Sequence, residues 1–516
     1  MRSSSRIAGV VLPLFSVRTR RDWGIGQITD LPACAAWIRS AGHRLLQILP
    51  PHELSEGETS PYGALTAFGI DPLYLGLEAV PDLDAATLAA TLGDDGAREL
   101  ERVRALPRAD YRRVRALKTR ALRAAFDRFL VREWERSTPR ARELAAFVDR
   151  ERAWLEDLAL YTVLRESHAA YGWETWPEPE RERAPLALDA ARRTCSRRIL
   201  EVAYAQWLAL AQWESARIEM RALGVELMGD LPFVVCGESA DVWARASQFQ
   251  RHMSLGAPPD AFSPAGQDWG LPPYSWLAME ADDLAWVRAR TVHAARLYDR
   301  FRLDHVVGYF RQWVRARGNG ERGRFDPDGP DAQKARGRRV LGAILEEAGN
   351  ARVIAEDLGV IPPFVRETLG ELGAPGYRVI PWEKDEHQHY RDPARFPAMS
   401  VATWSTHDTP PITAWWDELH EGERSELARR AGVSADAPDD ARSLALLASL
   451  FRSGSELTLV LAQELLGDRE RINTPGVVDD TNWTYRLPRP IDELASDARI
   501  AARFDAVRAA VEESGR

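Results

Sequence analysis

Eight short apolar runs, many with β-branched residues, recur along this chain: Gly9–Leu12, Leu45–Leu49, Val225–Leu231, Arg300–Asp304, Arg352–Glu356, Tyr377–Ile380, Ser400–Trp404 and Leu457–Leu461. Most end in or beside a polar or charged residue, then pass through a loop into a stretch with helical spacing. Strands alternating with helices argue for parallel βα units, and eight such units close a (β/α)8 barrel. The interval from Glu356 to Ile380, and again to Trp404, is about 25 residues, close to one unit of such a barrel. The last run is the least distinct, because Glu456–Leu466 reads equally well as a helix.

One interval is far too long for a single unit. Between the second and third runs, Pro50 to Gly224 carries apolar residues at three- and four-residue steps over Tyr111–Glu135 and Glu151–Tyr171, and similarly over Leu186–Leu223. The expected fold is therefore α/β, a TIM barrel with a large helical insertion between strands 2 and 3. Its expected division is barrel strands 1 and 2 over residues 1–80, a mainly helical inserted subdomain over 81–222, and barrel strands 3 to 8 over 223–516. Asp326–Asp331 and Ile361–Pro363 read as loops or helix starts. Residues 255–276, LGAPPDAFSPAGQDWGLPPYSW, read as a long irregular loop, rich in aromatics and amides, with a binding role.

Composition narrows the function classes. The 516 residues hold 68 Lys and Arg against 77 Asp and Glu, a net charge of −9, with no basic footprint for nucleic acid or an acidic membrane surface. No apolar run approaches the ~18 residues of a membrane helix. Ile7–Phe15 mimics a signal peptide, but Pro13 interrupts it and Arg18, Arg20 and Arg21 occupy the place of a cleavage site, so it reads as a buried first strand. Cys34, Cys195 and Cys236 are too few and too scattered for a disulfide framework or zinc knuckle; they read as reduced thiols in a cytoplasmic protein. The 18 Trp hint at sugar, since aromatic faces match the C–H faces of sugar rings, although most Trp fill cores.

The active site of such a barrel lies at the C-terminal ends of its strands. Three predicted strands present a carboxylate there: Asp304 in FRLDHVVG, Glu356 in VIAEDLGV and Asp408 in WSTHDTPP. His305 and His407 flank two of them, and Arg302 shares the strand face of Asp304. One such Asp is usually a helix cap; three at separate strand ends point to chemistry. Glycoside cleavage needs a group that protonates the leaving oxygen and an anion that meets the oxocarbenium-like centre. Asp304 beside Arg302 suits the anion, and Glu356 suits the acid. An α-glucan hydrolase would use the same set, and Asp/His pairs at strand ends also serve metal-dependent barrel enzymes. Against the metal, the His-x-His spacing occurs only at His387 and His389, in a charged segment that reads as a solvated loop. A non-catalytic glucan-binding protein would have lost part of the acid pair, which is intact here.

The ordered motifs resemble the 4-α-glucanotransferases (amylomaltases, or disproportionating enzymes) of the α-amylase superfamily. They are LPLFSVRTRRDWGIGQITDL (12–31), SPYGALTAFGIDPLYL (60–75), GDLPFVVCGESADVW (229–243), PPDAFSPAGQDWGLPPYSW (258–276), FRLDH, AEDLG, THD and NTPGVVDDTNWTYRLP (473–488). The resemblance implies Asp304 as nucleophile, Glu356 as general acid/base and Asp408 as transition-state stabiliser. It implies that Arg302, His305 and His407 line the cleavage subsite. Ser60, Tyr62, Gln267 and Trp269 would then contact maltooligosaccharide or α-1,4-glucan, and Asn482 and Trp483 would complete the wall. Asp230 and Pro232 fit strand-end structure better than catalysis. The implied reaction, a retaining double displacement, requires no metal and no organic cofactor.

Several positions depart from the family's usual residues. Gly63 follows Tyr62 in place of glutamine, Asp71-Pro72-Leu73 replaces Asn-Pro-Leu, and Val306-Val307-Gly308 replaces Phe-Arg-Gly. Trp382 and Glu383 stand in the sixth-strand region, and Thr409-Pro410-Pro411 follows Asp408. These departures are expected at glucan-contacting positions, where they bear on donor and acceptor preference.

Overall fold

Each of the eight apolar runs forms a strand. The computed structural model describes residues 6–169, 172–259, 266–318, 323–477 and 479–516. The strands are β1 (Ile7–Val11), β2 (Leu45–Gln47), β3 (Glu226–Leu231), β4 (Arg300–Leu303), β5 (Arg352–Ala355), β6 (Gly376–Val379), β7 (Ser400–Thr403) and β8 (Leu457–Leu461). They pair in parallel, each with its sequence neighbours, and β8 pairs with β1, so the barrel closes. Strands covered on both faces read as unbroken apolar runs, and every residue of β1 and β8 is buried. The ambiguous Glu456–Leu466 divides between the two readings: strand through Leu461, then a helix over Ala462–Leu466.

Between β2 and β3 the chain is mostly helical, with long helices at Ala85–Ala105, Tyr111–Phe129, Pro139–Ser167 and Ser196–Ala222 and a shorter one at Pro185–Thr194. Their starts have local causes. The Asp84 and Asp110 carboxylates accept the N–H groups of Thr87 and Arg113 at 2.8 and 3.0 Å, and Pro139 occupies a first-turn position. The last of these helices packs against Leu31–Ser40 and β3, so the segment returns to the barrel wall. Lys118 lies among the buried apolar residues of Tyr111–Phe129; its ammonium donates to the Leu73 and Leu75 carbonyls at 2.7 Å and to Gln27 at 3.1 Å.

The expected irregular loop at 255–276 is partly sheet. Met253–Ala257 pairs antiparallel with Gln312–Ala316 and with Gln267–Asp268, and Gln312–Ala316 pairs with Arg324–Asp326. No apolar alternation marks Gln267–Asp268, because both residues are exposed and their strand is two residues long. Residues 260–265 of that segment lie outside the described residues, as do Tyr171 in the expected helix Glu151–Tyr171 and Val478 in the closing motif.

Candidate active site

Register places the central carboxylates. Arg302 of β4 sits opposite Asp230 of β3 and Ile354 of β5. One step beyond the last strand pairs, the Asp304 N–H donates to the Leu231 carbonyl at 3.1 Å and the Glu356 N–H to the Leu303 carbonyl at 3.0 Å. The ladder thus continues just far enough to set both carboxylates above the barrel. The Arg302 guanidinium lies between them. It holds Asp230 at 2.8 and 2.9 Å and Asp304 at 3.0 Å, and it stands 3.8 Å from Glu356.

After Asp304 the chain turns through His305 in the left-handed region (φ 47°), an uncommon conformation for a non-glycine residue that concentrates at functional sites. The His305 N–H donates to Glu356 Oε2 at 2.7 Å, and the Leu358 N–H donates to Oε1 at 3.1 Å. The third carboxylate stands beyond β7. Asp408 Oδ2 lies 3.3 Å from His407 Nε2, and its Oδ1 accepts from Asn473 Nδ2 at 2.6 Å. The Tyr62 hydroxyl donates to Asp230 at 2.8 Å and lies 3.1 Å from His407 Nε2. A continuous set of polar contacts therefore runs from Asp408 through His407, Tyr62, Asp230 and Arg302 to the acid pair.

Burial and charge set different protonation states within this group. Burial pushes Glu356 up from 4.5 to about 8; the Asp304 charge adds to the rise, while Arg302 and the two backbone N–H groups oppose it. Glu356 is thus protonated at neutral pH. Burial disfavours the charge on Arg302, but Asp230, Tyr62, Asp304 and Glu356 outweigh it and hold the guanidinium ionised. Burial lowers His305 to about 4 despite Asp304 beside it, leaving a neutral imidazole.

These groups line a cavity of about 640 Å³, and all twelve site residues expected from the sequence border it. Tyr62 stacks on His407 (centroids 5.8 Å apart) and meets Trp483 edge-on, while Trp269 stands perpendicular to His305 at 4.9 Å and donates its indole N–H to Gln267. Asn482 acts on the wall itself: its side chain bonds the Thr474 N–H and carbonyl and the Val477 carbonyl, folding 474–477 into a tight loop. Ser60 is held by Glu58, which accepts its N–H at 2.7 Å.

Sequence reasoning did not single out Gln47, Tyr377 or Asn473, which also line the cavity. Gln47 carried a signal, a polar residue within an apolar run; Tyr377 did not differ from an ordinary core residue. Asp230 is the fully buried partner of Arg302, in keeping with a structural place. Among the departures only Trp382, half exposed, borders the cavity. Gly63 instead faces Glu58, Asp71 is buried in an ion pair with Arg115, and Val306 is fully buried. The expectation that these positions contact glucan therefore narrows to Trp382 at this cavity, and the Asp71 and Val306 side chains are buried in the interior. His387 and His389 are both solvent-exposed, and among the described residues no group of three or more His, Cys, Asp or Glu side chains is arranged to hold a metal ion.

Comparison with known proteins bears on the same site. The sequence model of the 4-alpha-glucanotransferase family matches residues 12–492, which include every one of these site residues. The chain belongs to that family. A 4-alpha-glucanotransferase of Chlamydia pneumoniae is 30% identical over 505 residues, covering 94% of this chain and 92% of its own. One from Thermus thermophilus is 31% identical over 469 residues, covering 87% and 89%. The structure of an amylomaltase from Streptococcus agalactiae, in complex with acarbose, superposes with a TM-score of 0.83 over 99% of both chains at 23% identity, a likeness of fold. The family's activity is the transfer of α-1,4-glucan segments, and this chain is an enzyme of that kind.

Proposed function

We propose that this enzyme disproportionates maltooligosaccharides by a double displacement in which Asp304 is the nucleophile, Glu356 the general acid/base and Asp408 the stabiliser of the transition state. The observation that carries the reading is the unequal acid pair: two carboxylates beside one guanidinium, of which the more deeply buried keeps its proton. In the first step an Asp304 oxygen bonds to the anomeric carbon as the C1–O4′ bond breaks, and the Glu356 proton passes to the departing oxygen. In the second, an incoming 4-hydroxyl gives its proton to Glu356 and displaces Asp304, forming a new α-1,4 bond. Tyr62, His407 and Trp483 offer an aromatic corner for the cleaved glucosyl ring, and Trp269 and Trp382 offer platforms farther out. The acarbose held by the S. agalactiae amylomaltase suits this assignment of an α-glucan substrate. Three free cysteines suit a reducing compartment, and we assign the enzyme to cytoplasmic glycogen or starch metabolism.

Incubation with maltotriose alone tests the reading. Transfer yields glucose together with longer maltooligosaccharides and no net gain of reducing ends. Glucose and maltose alone, with rising reducing ends, would make the enzyme a hydrolase. D304N is expected to abolish either reaction while the protein stays folded, and near-normal turnover by D304N would overturn the assignment of the nucleophile.

A further inference from the structure

The third carboxylate is held from a direction the strand ends do not supply. Asp408 lies in the loop after β7, and its two oxygens meet different partners: Oδ2 faces His407 Nε2 at 3.3 Å, and Oδ1 accepts from the Asn473 amide at 2.6 Å. Asn473 belongs to the segment after β8 and is nearly fully buried. A second contact ties the same two segments through their backbones. Arg471 donates from Nη2 to the Asp408 carbonyl at 2.8 Å and from Nε to the Asn473 carbonyl at 3.2 Å. Immediately beyond, the chain folds into the tight Thr474–Val477 turn that Asn482 closes, and that turn forms part of the cavity wall.

We propose that Asn473 is the positioning residue of Asp408, and that Arg471 and Asn473 together lock the Thr474–Val477 wall to the third carboxylate so that the two move as one unit. A carboxylate on a loop rotates about its terminal torsion unless both oxygens are held. With Oδ2 beside His407 alone, the plane of the group is free to turn; the amide bond to Oδ1 fixes it. The charge-assisted bond also costs nothing to reorganise at the moment of reaction, which is what makes a preset group effective in stabilising developing positive charge. The lock gives sugar seated against the Thr474–Val477 wall a direct mechanical route to Asp408, with no contact between the sugar and Asn473 required.

This inference rests on the reading of Asp408 as a participant in the reaction, and the experiment separates the two. N473A, N473D, D408N and the double variant N473A/D408N are assayed in the full chain with maltotriose, reading kcat and KM separately and checking each fold by circular dichroism and thermal melting. A misplaced reacting group costs on the order of 10²-fold in rate. N473A is expected to lose about that much in kcat with KM changed little. N473D, which keeps the shape but loses the donor, covers the case in which alanine disturbs the fold and is expected to lose at least as much. The decisive outcome is non-additivity: N473A/D408N is expected to be no slower than D408N alone. If N473A and N473D keep kcat within twofold, or raise KM alone, Asn473 is a wall residue and the proposal fails. It also fails if N473A slows the double variant as much as it slows the parent. Near-normal activity in D408N would instead remove the role of Asp408 on which the proposal rests.

Discussion

The protonated state of Glu356 has a consequence outside catalysis. In the unfolded chain this carboxyl titrates at its ordinary value of 4.5, and in the folded protein burial moves it to about 8. Below 4.5 both states hold the proton and nothing is lost. As pH rises from 4.5 towards 8, the unfolded chain releases a proton that the folded protein keeps, so stability falls; above 8 both release it and the loss levels off. Each unit of separation is worth about 1.4 kcal/mol, so between pH 5 and pH 7.5 the folded protein should lose about 3 kcal/mol from this group alone. Replacement by Gln removes the titration. The Gln amide has one acceptor oxygen where Glu356 offers two to the N–H groups of His305 and Leu358, a deficit of about 1 kcal/mol or more, but one independent of pH.

The expected result is therefore a change in the difference between E356Q and the parent, whatever its absolute value at any one pH. For 516 residues the entropy of unfolding is about 1 kcal/mol/K near 60 °C, so the Tm of E356Q should gain about 3 °C on the parent between pH 5 and pH 7.5. Melting curves at matched scan rates suffice, because every other titrating group is shared and cancels in the comparison. The same variant should be nearly inactive throughout. Parallel Tm profiles, constant within 1 °C, would mean that Glu356 titrates like a solvated carboxyl, and the argument that burial makes it the general acid would fall with them.

The pH profile of kcat/KM for the parent enzyme should bend downward near pH 8 as Glu356 loses its proton, and a basic limb at or below pH 6 would contradict that assignment. R302M leaves Asp230 buried and uncompensated, so chemical denaturation should register a loss of about 3–5 kcal/mol, with activity abolished; unchanged stability would show the pair to be solvated. Y62F removes the hydroxyl between Asp230 and His407 and should lower kcat/KM for maltotriose by about 1.5–3 kcal/mol, roughly tenfold or more. W382A takes a half-exposed platform off the cavity rim and is expected to raise KM for longer maltooligosaccharides several-fold, consistent with about 0.5–1.5 kcal/mol per aromatic contact, with kcat nearly unchanged. A fall in kcat at constant KM would place Trp382 nearer the reacting bond.

What the sequence disclosed follows from what is local. The barrel strands were legible because a strand buried on both faces is a short apolar run, and Asp304, Glu356 and Asp408 because each is a charge placed where such a run stops. Helical periodicity revealed the segment between β2 and β3, yet it gave no reason for Lys118 on an apolar face, whose acceptors are carbonyls more than forty residues away. The sheet around Met253–Ala257 was missed because Gln267–Asp268 is short and exposed. The departures at Gly63, Asp71 and Val306 looked like substrate contacts by neighbourhood in sequence; only the structure shows that Asp71 and Val306 turn inward and that Gly63 lies against the Glu58 side chain. Pairings across the barrel, such as Arg302 with Asp230 or Asn473 with Asp408, leave no trace in a single chain, since neither partner constrains the residues beside the other.

The acid pair shows why such pairings decide the chemistry. Asp304 and Glu356 carry the same functional group and share one cation, so residue type cannot assign their roles. Arg302 stands 3.0 Å from one and 3.8 Å from the other. At an effective dielectric constant of ~20 that difference favours the anion at Asp304 by only about 1 kcal/mol. Glu356 even accepts two backbone N–H bonds, which favour its charged form. Its proton is therefore retained against both the guanidinium and the backbone, and the force that retains it is burial: the Glu356 side chain is 11% exposed and that of Asp304 23%. Exposure at these strand ends is set by the loops above them, including His305 in its left-handed turn and Trp269, which meets it edge-on. A change that opens that cover should thus lower the Glu356 pKa before it disturbs Asp304, and the order of those two effects tests the division of roles proposed for them.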